Sequence, residues 1–120
     1  MPIPILVVDD EPNFLMLMRK ALGRRGFEVS IAATASAALD LLDHEFFNFA
    51  LVDLRLGGGS GMELLADLKQ RKPNVHAIVV TGYPSDETRA AARDNGASAY
   101  LIKPVTINNL FDAMTKILTN

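Results

Sequence analysis

The residues suited to metal and phosphate chemistry stand where apolar runs break off: Asp9 and Asp10 after Ile3 to Val8, Asp53 after Phe49 to Val52, Thr81 after Val75 to Val80, and Lys103 after Ala99 to Ile102. Asp53 is followed within a few residues by Gly57-Gly58-Gly59-Ser60-Gly61. By itself it suits two readings equally, a functional carboxylate at the mouth of a buried strand or a cap on the following turn, since Asp is common before turns. Three carboxylates brought together would repel one another and lose hydration, which raises their pKa values unless cations compensate. Lys103 and a divalent cation could do so. Oxygen ligands without Cys or His suit Mg²⁺, which keeps waters and takes one or two carboxylates plus a phosphate oxygen, and suit zinc poorly. A carboxylate can also be the nucleophile that receives a phosphoryl group, its equatorial oxygens neutralised by a metal ion and an ammonium. Thr81, followed by Gly82, offers such a phosphate a hydroxyl with no side chain blocking the approach.

These positions form one site only if their strands lie side by side with their carboxyl ends on one rim, so the intervening segments decide the matter. Pro12 is placed to open a helix after the first strand, Ile3 to Val8. Phe14, Leu15, Met18, Ala21 and Leu22 recur at helical spacing towards Gly26, with Arg19, Lys20, Arg24 and Arg25 on the other face. Phe27, Val29 and Ile31 alternate with Glu28 and Ser30, the pattern of a sheet-edge strand with one wet face. Thr34 or Ser36 caps a helix carrying Ala38, Leu41 and Leu42. Phe47 to Asp53 reads as the central strand, and Ser60 begins a helix through Met62, Leu65 and Leu68 that ends before Pro73.

Val75 to Val80 is apolar apart from His76, which reads as structural; His44 reads as surface. Ser85 caps a fourth helix with Asp86 and Glu87 in its first turn and Asn95-Gly96 at its end. Its apolar face is only Ala90, Ala91 and Ala92, so it is expected to be held less firmly than its Leu-rich neighbours. Ala99 to Ile102 is the last strand, and Thr106 opens a helix with Leu110, Phe111, Met114, Ile117 and Leu118 inward. Five strands alternating with five helices predict an α/β, doubly wound, flavodoxin-like parallel sheet in the order 2-1-3-4-5, covered by helices on both faces. Ligands in such sheets bind beyond the carboxyl ends of the strands.

At 120 residues and 49% hydrophobic, the chain can bury one respectable core. The net charge of -2 argues against a nucleic-acid surface built on gross charge. There is no cysteine, hence no thiolate site, and no apolar run approaches the ~18 residues of a membrane span. A cytoplasmic protein without direct nucleic-acid or membrane binding is expected.

Four stretches, Ile5-Leu6-Val7-Val8-Asp9-Asp10-Glu11, Asp53 with Gly61 eight residues later, Thr81-Gly82, and Tyr100-Leu101-Ile102-Lys103-Pro104, resemble the receiver domains of two-component response regulators. The resemblance covers essentially the whole chain. It implies that Asp53 is the phosphoacceptor, that Asp9 and Asp10 hold Mg²⁺ together with Asp53 and the backbone carbonyl of Arg55, and that Lys103 contacts the phosphoryl group. It further implies that Thr81 and Tyr100 switch on phosphorylation, and that Lys103-Pro104 is cis. The donor would be a phosphohistidine on a sensor histidine kinase or histidine phosphotransfer protein. The receiver itself would catalyse its aspartyl phosphorylation and dephosphorylation, as a regulatory protein.

The expected organisation is a single receiver domain over residues 1–120, with no output domain in this chain. Phosphorylation is expected to be read out on the face of the fourth helix, fifth strand and fifth helix, which also leaves room for a homodimer. One departure from the family is the loop after the acceptor, where Gly57 stands in place of a usual proline and Gly58-Gly59 follow, so this loop should be less preorganised. Another concerns Arg55 and Tyr83, long side chains at variable positions flanking the phosphate, which are expected to tune its lifetime by crowding the path of attacking water. Two further readings stand beside this one. A receiver-like scaffold acting by contacts alone would be suggested by loss of an acid or of Lys103. A phosphatase would want an Asp where Arg55 stands, and a flavin protein a Ser/Thr/Gly loop after the first strand.

Overall fold

Side chains alternate across a strand, so a sheet that is apolar on both faces must be flanked by two cores. The computed structural model, which describes residues 2–56 and 59–119, has both. Its main sheet is β1 (Ile3–Val8), β2 (Phe27–Ala32), β3 (Phe49–Val52), β4 (His76–Thr81) and β5 (Ala97–Ile102), all parallel, in the order 2-1-3-4-5. The connecting helices are α1 (Pro12–Gly23), α2 (Ala35–His44), α3 (Gly61–Arg71) and α4 (Asp86–Asp94), and α5 (Ile107–Thr119) follows β5. Leu6, Val8, Ala50, Val52, Ala77 and Val79 meet α2, α3 and α4 through Ala38, Leu42, Leu64, Leu65, Leu68 and Ala92. The alternate residues Ile5, Val7, Phe49, Leu51, Ile78 and Val80 meet Leu15, Met18 and Leu22 of α1 and Leu110 and Met114 of α5.

Helix starts follow the expected capping chemistry, each cap contributing about 1 kcal/mol. Thr34 Oγ1 accepts from the Ala37 N–H at 3.1 Å, Ser60 Oγ from Met62 at 3.2 Å, Ser85 Oγ from Thr88 at 3.0 Å and Thr106 Oγ1 from Asn109 at 3.0 Å. Only Ala92 of α4 is fully buried. At the carboxyl ends of the strands the ladder runs one residue past each apolar run. The Asp9 N–H donates to Ala32 O at 3.1 Å, Asp53 to Val8 O at 3.0 Å and Lys103 to Thr81 O at 2.8 Å, so these residues are pinned by the neighbouring strand.

Four details differ from the sequence reading. β3 begins at Phe49 rather than Phe47, although Phe47 is still core at 1% exposure. β4 begins at His76, not Val75. β5 begins at Ala97 because the pairing steps from Ala77↔Ala97 to Ile78↔Ala99, leaving Ser98 as an irregularity that hides the strand's start from any alternation pattern. Leu118, expected inward, is 62% exposed; at ~100° per residue it lies about 80° round the helix from Leu110, off the buried stripe. A short antiparallel ladder, Arg55–Leu56 against Gly59–Ser60, was not foreseen. Of the glycines on which the expected looseness after Asp53 falls, Gly57 and Gly58 lie outside the described residues and Gly59 pairs with Leu56 in that ladder.

Candidate functional site

The buried polar or charged residues among those described are Asp9, Asp53 and Thr81, each at or just past the carboxyl end of a central strand. Burying a carboxylate is costly unless it is paired and hydrogen-bonded, so their gathering needs a cause. The Lys103 Nζ supplies part of it, donating to Asp9 Oδ2 at 2.7 Å and to Asp53 Oδ2 at 3.3 Å. The remaining oxygens are held by the backbone two residues on: Asp9 Oδ1 accepts from the Glu11 N–H at 2.9 Å and Asp53 Oδ1 from the Arg55 N–H at 3.0 Å. Lys103 enters the site from the Lys103–Pro104 junction, whose peptide bond is cis.

These contacts do not fully compensate. Burial pushes the Asp53 carboxyl above its ordinary value; the Arg55 N–H and the Lys103 charge pull it down, while Asp9 adds to the rise. Burial would lower the Lys103 ammonium, but the hydrogen bond and charge of Asp9, with the charge of Asp53, outweigh it and hold it above the usual lysine value. The site therefore keeps an excess of negative charge beside a solvent-open cleft of about 540 Å³ lined by Asp9, Asp10, Glu11, Asp53, Arg55, Gly82, Tyr83 and Lys103.

A hard divalent cation fits that excess. Asp9, Asp10 and Asp53 each offer one carboxylate oxygen within 4.8 Å of the others, Asp10 from the exposed side and the other two from the buried floor. The donors are all oxygen, as Mg²⁺ prefers. Gly61 explains its own spacing from Asp53: a Cβ there would lie 2.0 Å from the Asp53 carbonyl oxygen and 2.8 Å from Leu54 Cα. The chain thus folds back onto the peptide that carries Asp53, and the Gly61 N–H donates to Leu54 O at 3.1 Å.

Of the residues singled out in the sequence, Asp9, Asp10, Asp53, Arg55, Tyr83 and Lys103 share the cleft, while Thr81 and Tyr100 stand behind it. The Thr81 hydroxyl accepts from the Tyr83 N–H at 3.0 Å and lines an adjoining cavity with Arg55, Met62, Tyr83, Ser85 and Thr88. Arg55 and Tyr83 are stacked on each other, guanidinium carbon to ring centroid 3.8 Å. The Tyr100 hydroxyl lies 2.8 Å from Thr88 Oγ1 and accepts from the Ser85 N–H at 3.3 Å, with the Arg89 guanidinium 4.5 Å above its ring. Sequence reading missed Thr88 and Arg89. Their spacing from Ser85 and from each other marks an exposed helix start, and only the pairing of β4 with β5 brings that start to Tyr100.

Comparison with known proteins follows the same lines. Residues 5–115 match the response regulator receiver domain family. The photosynthetic apparatus regulatory protein RegA of Rhodobacter capsulatus is 37% identical over 110 residues, which is 92% of this chain and 60% of RegA. The chain thus spans about 60% of the length of that relative. Among solved structures, a CheY-like response regulator receiver domain protein from Methanospirillum hungatei superposes with TM-score 0.94 at 38% identity, covering 99% of this chain and 95% of that one. A Burkholderia pseudomallei response regulator with a phosphorylated aspartic acid, calcium ion and citrate gives 0.91 at 36% identity, covering 98% and 69%.

Proposed function

The chain belongs to the response regulator receiver domain family, and we propose that it serves a two-component phosphorelay as a phosphoaccepting switch whose acceptor is Asp53. The observation that carries this reading is the Lys103 ammonium lying between two buried carboxylates, 2.7 Å from Asp9 and 3.3 Å from Asp53. A structural ion pair needs one carboxylate; two beside an open cleft leave a charge that only an incoming cation or a reaction relieves.

In transfer from a phosphohistidine on a sensor histidine kinase or histidine phosphotransfer protein, an Asp53 carboxylate oxygen attacks phosphorus in line. The new O–P bond forms as the N–P bond breaks, and the imidazole leaves with the electron pair and takes up a proton from solvent. The Arg55 N–H holds the carboxylate oriented for attack, 3.0 Å from Oδ1. Lys103 turns from the carboxylates to a phosphoryl oxygen, a charge-assisted contact. Dephosphorylation is the attack of water on the same phosphorus, returning the Asp53 carboxylate and releasing inorganic phosphate. Asp9, Asp10, Asp53 and the Arg55 carbonyl would hold Mg²⁺, which when bound supplies positive charge against the acids and the phosphoryl oxygens. The protein is on this reading a regulator that catalyses its own phosphorylation and dephosphorylation.

Arg55 and Tyr83 tune the lifetime by standing in the path of water, and Thr81 and Tyr100 carry the change to the α4–β5–α5 face, where a second copy of the chain could dock. Residues 1–120 act as one cytoplasmic receiver domain, without direct contact to nucleic acid or membrane. The test is incubation with acetyl phosphate and Mg²⁺. One phosphoryl group per chain, released by hydroxylamine as an acyl phosphate must be, is expected; a hydroxylamine-stable phosphate, the mark of a hydroxyl ester, would contradict the assignment.

A further inference from the structure

The Lys103 ammonium has a neighbour that the carboxylates do not explain: its Nζ lies over the Phe14 ring, 4.5 Å from the centroid. Phe14 is in the first turn of α1, directly after the acidic loop, and its half-buried ring packs against the α1–α5 core. The Lys103 stem runs past Gly82, where a Cβ would meet Cδ at 3.9 Å, and its side chain is only 20% exposed. An ammonium has three protons, and two are directed at Asp9 and Asp53. Besides those two carboxylates the ammonium has the ring face as a neighbour, and ammonium groups within ~6 Å of an aromatic face are attracted by its quadrupole.

The two kinds of contact differ in how they bear movement. Hydrogen bonds to Asp9 and Asp53 are directional and must be exchanged when a phosphoryl oxygen takes their place. Attraction to a ring face varies slowly with position, so it persists while the ammonium shifts by an ångström or so. We propose that Phe14 is a positioning residue for Lys103: its ring holds the ammonium over the Asp9–Asp53 pair and remains its partner as Lys103 passes to the phosphoryl group. This rests on the phosphoacceptor reading of the site.

The experiment has two arms on Phe14→Leu, which keeps apolar bulk, and Phe14→Tyr, which keeps the aromatic face. In the unphosphorylated protein, proton NMR should find the Lys103 ε-methylene shifted upfield by the ring in wild type and in Phe14→Tyr, and not in Phe14→Leu. With acetyl phosphate and Mg²⁺, Phe14→Leu should slow phosphorylation roughly three- to tenfold and Phe14→Tyr should restore it. In a Lys103→Met background the Leu substitution should add no further slowing. An unshifted ε-methylene in wild type would overturn the proposal. So would a Leu variant phosphorylated at the wild-type rate, or one slowed equally in both backgrounds, which would make Phe14 a packing residue only. A wild-type chain that took up no phosphoryl group would instead sink the reading of the site, and the NMR arm would still decide whether Phe14 holds Lys103.

Discussion

Burial raises the Asp53 carboxyl above its ordinary 3.8, and the Arg55 N–H and Lys103 do not fully cancel the rise. The sign of the stability effect follows: the folded chain binds that proton more tightly than the unfolded one, so stability falls as pH rises from the unfolded to the folded value. At neutral pH the fold bears the whole cost. Asp53→Asn is therefore expected to be more stable than wild type at pH 7 in EDTA, with the gap closing as pH is lowered through the raised carboxyl value. Urea denaturation at several pH values checks this, and an Asn variant less stable than wild type at pH 7 would contradict it. Arg55 and Tyr83 are individually exposed yet stacked at 3.8 Å, so they should act as one unit. Replacing both, Arg55→Asn with Tyr83→Ala, should speed loss of phosphate severalfold, with each single change giving most of the effect. An unchanged hydrolysis rate would dispose of their role in lifetime. At this scale the acids and Lys103 were legible because ionisable residues stood at the ends of apolar runs. Phe14 was not, because helical spacing reads it as core whether or not its ring face reaches a charge.

α4 is the helix with the fewest fully buried residues, Ala92 alone, and its N-terminus is tied to β5 by the Tyr100 hydroxyl. A phosphoryl group adds acceptors that should draw the Thr81 hydroxyl away from the Tyr83 N–H, loosening the loop that leads into α4. Amide exchange with and without beryllofluoride is expected to change protection within residues 84–95 and 98–102. Thr88→Ala, which removes the 2.8 Å contact to Tyr100, should speed exchange at the start of α4 roughly fivefold, the worth of about one hydrogen bond. It should also blunt the response of α4 to beryllofluoride. Protection unchanged in both segments would rule out the α4–β5–α5 readout. The helix starts were legible from their Ser and Thr caps, since capping is local. The start of β5 and the exposure of Leu118 were not, since a step in strand register and the width of a buried stripe are set by the neighbouring elements.

For the molecule as a whole, apolar runs separated by amphipathic helices foretold a doubly wound sheet, and the order 2-1-3-4-5 then placed Asp9, Asp10, Asp53 and Lys103 around one cleft. The two cores, one on each face, account for why the strands read as continuous rather than alternating. The electrostatic state of the site was legible only in outline: the sequence shows an excess of acid, but that Lys103 spans two carboxylates, and that Asp53 is raised, depends on distances and burial. The central claim is that Asp53 is the nucleophile this architecture serves. Intact mass after incubation with acetyl phosphate and Mg²⁺ tests it most directly: wild type should gain one phosphoryl group and Asp53→Asn none, whereas an Asn variant that gained the group at the wild-type rate would contradict the account.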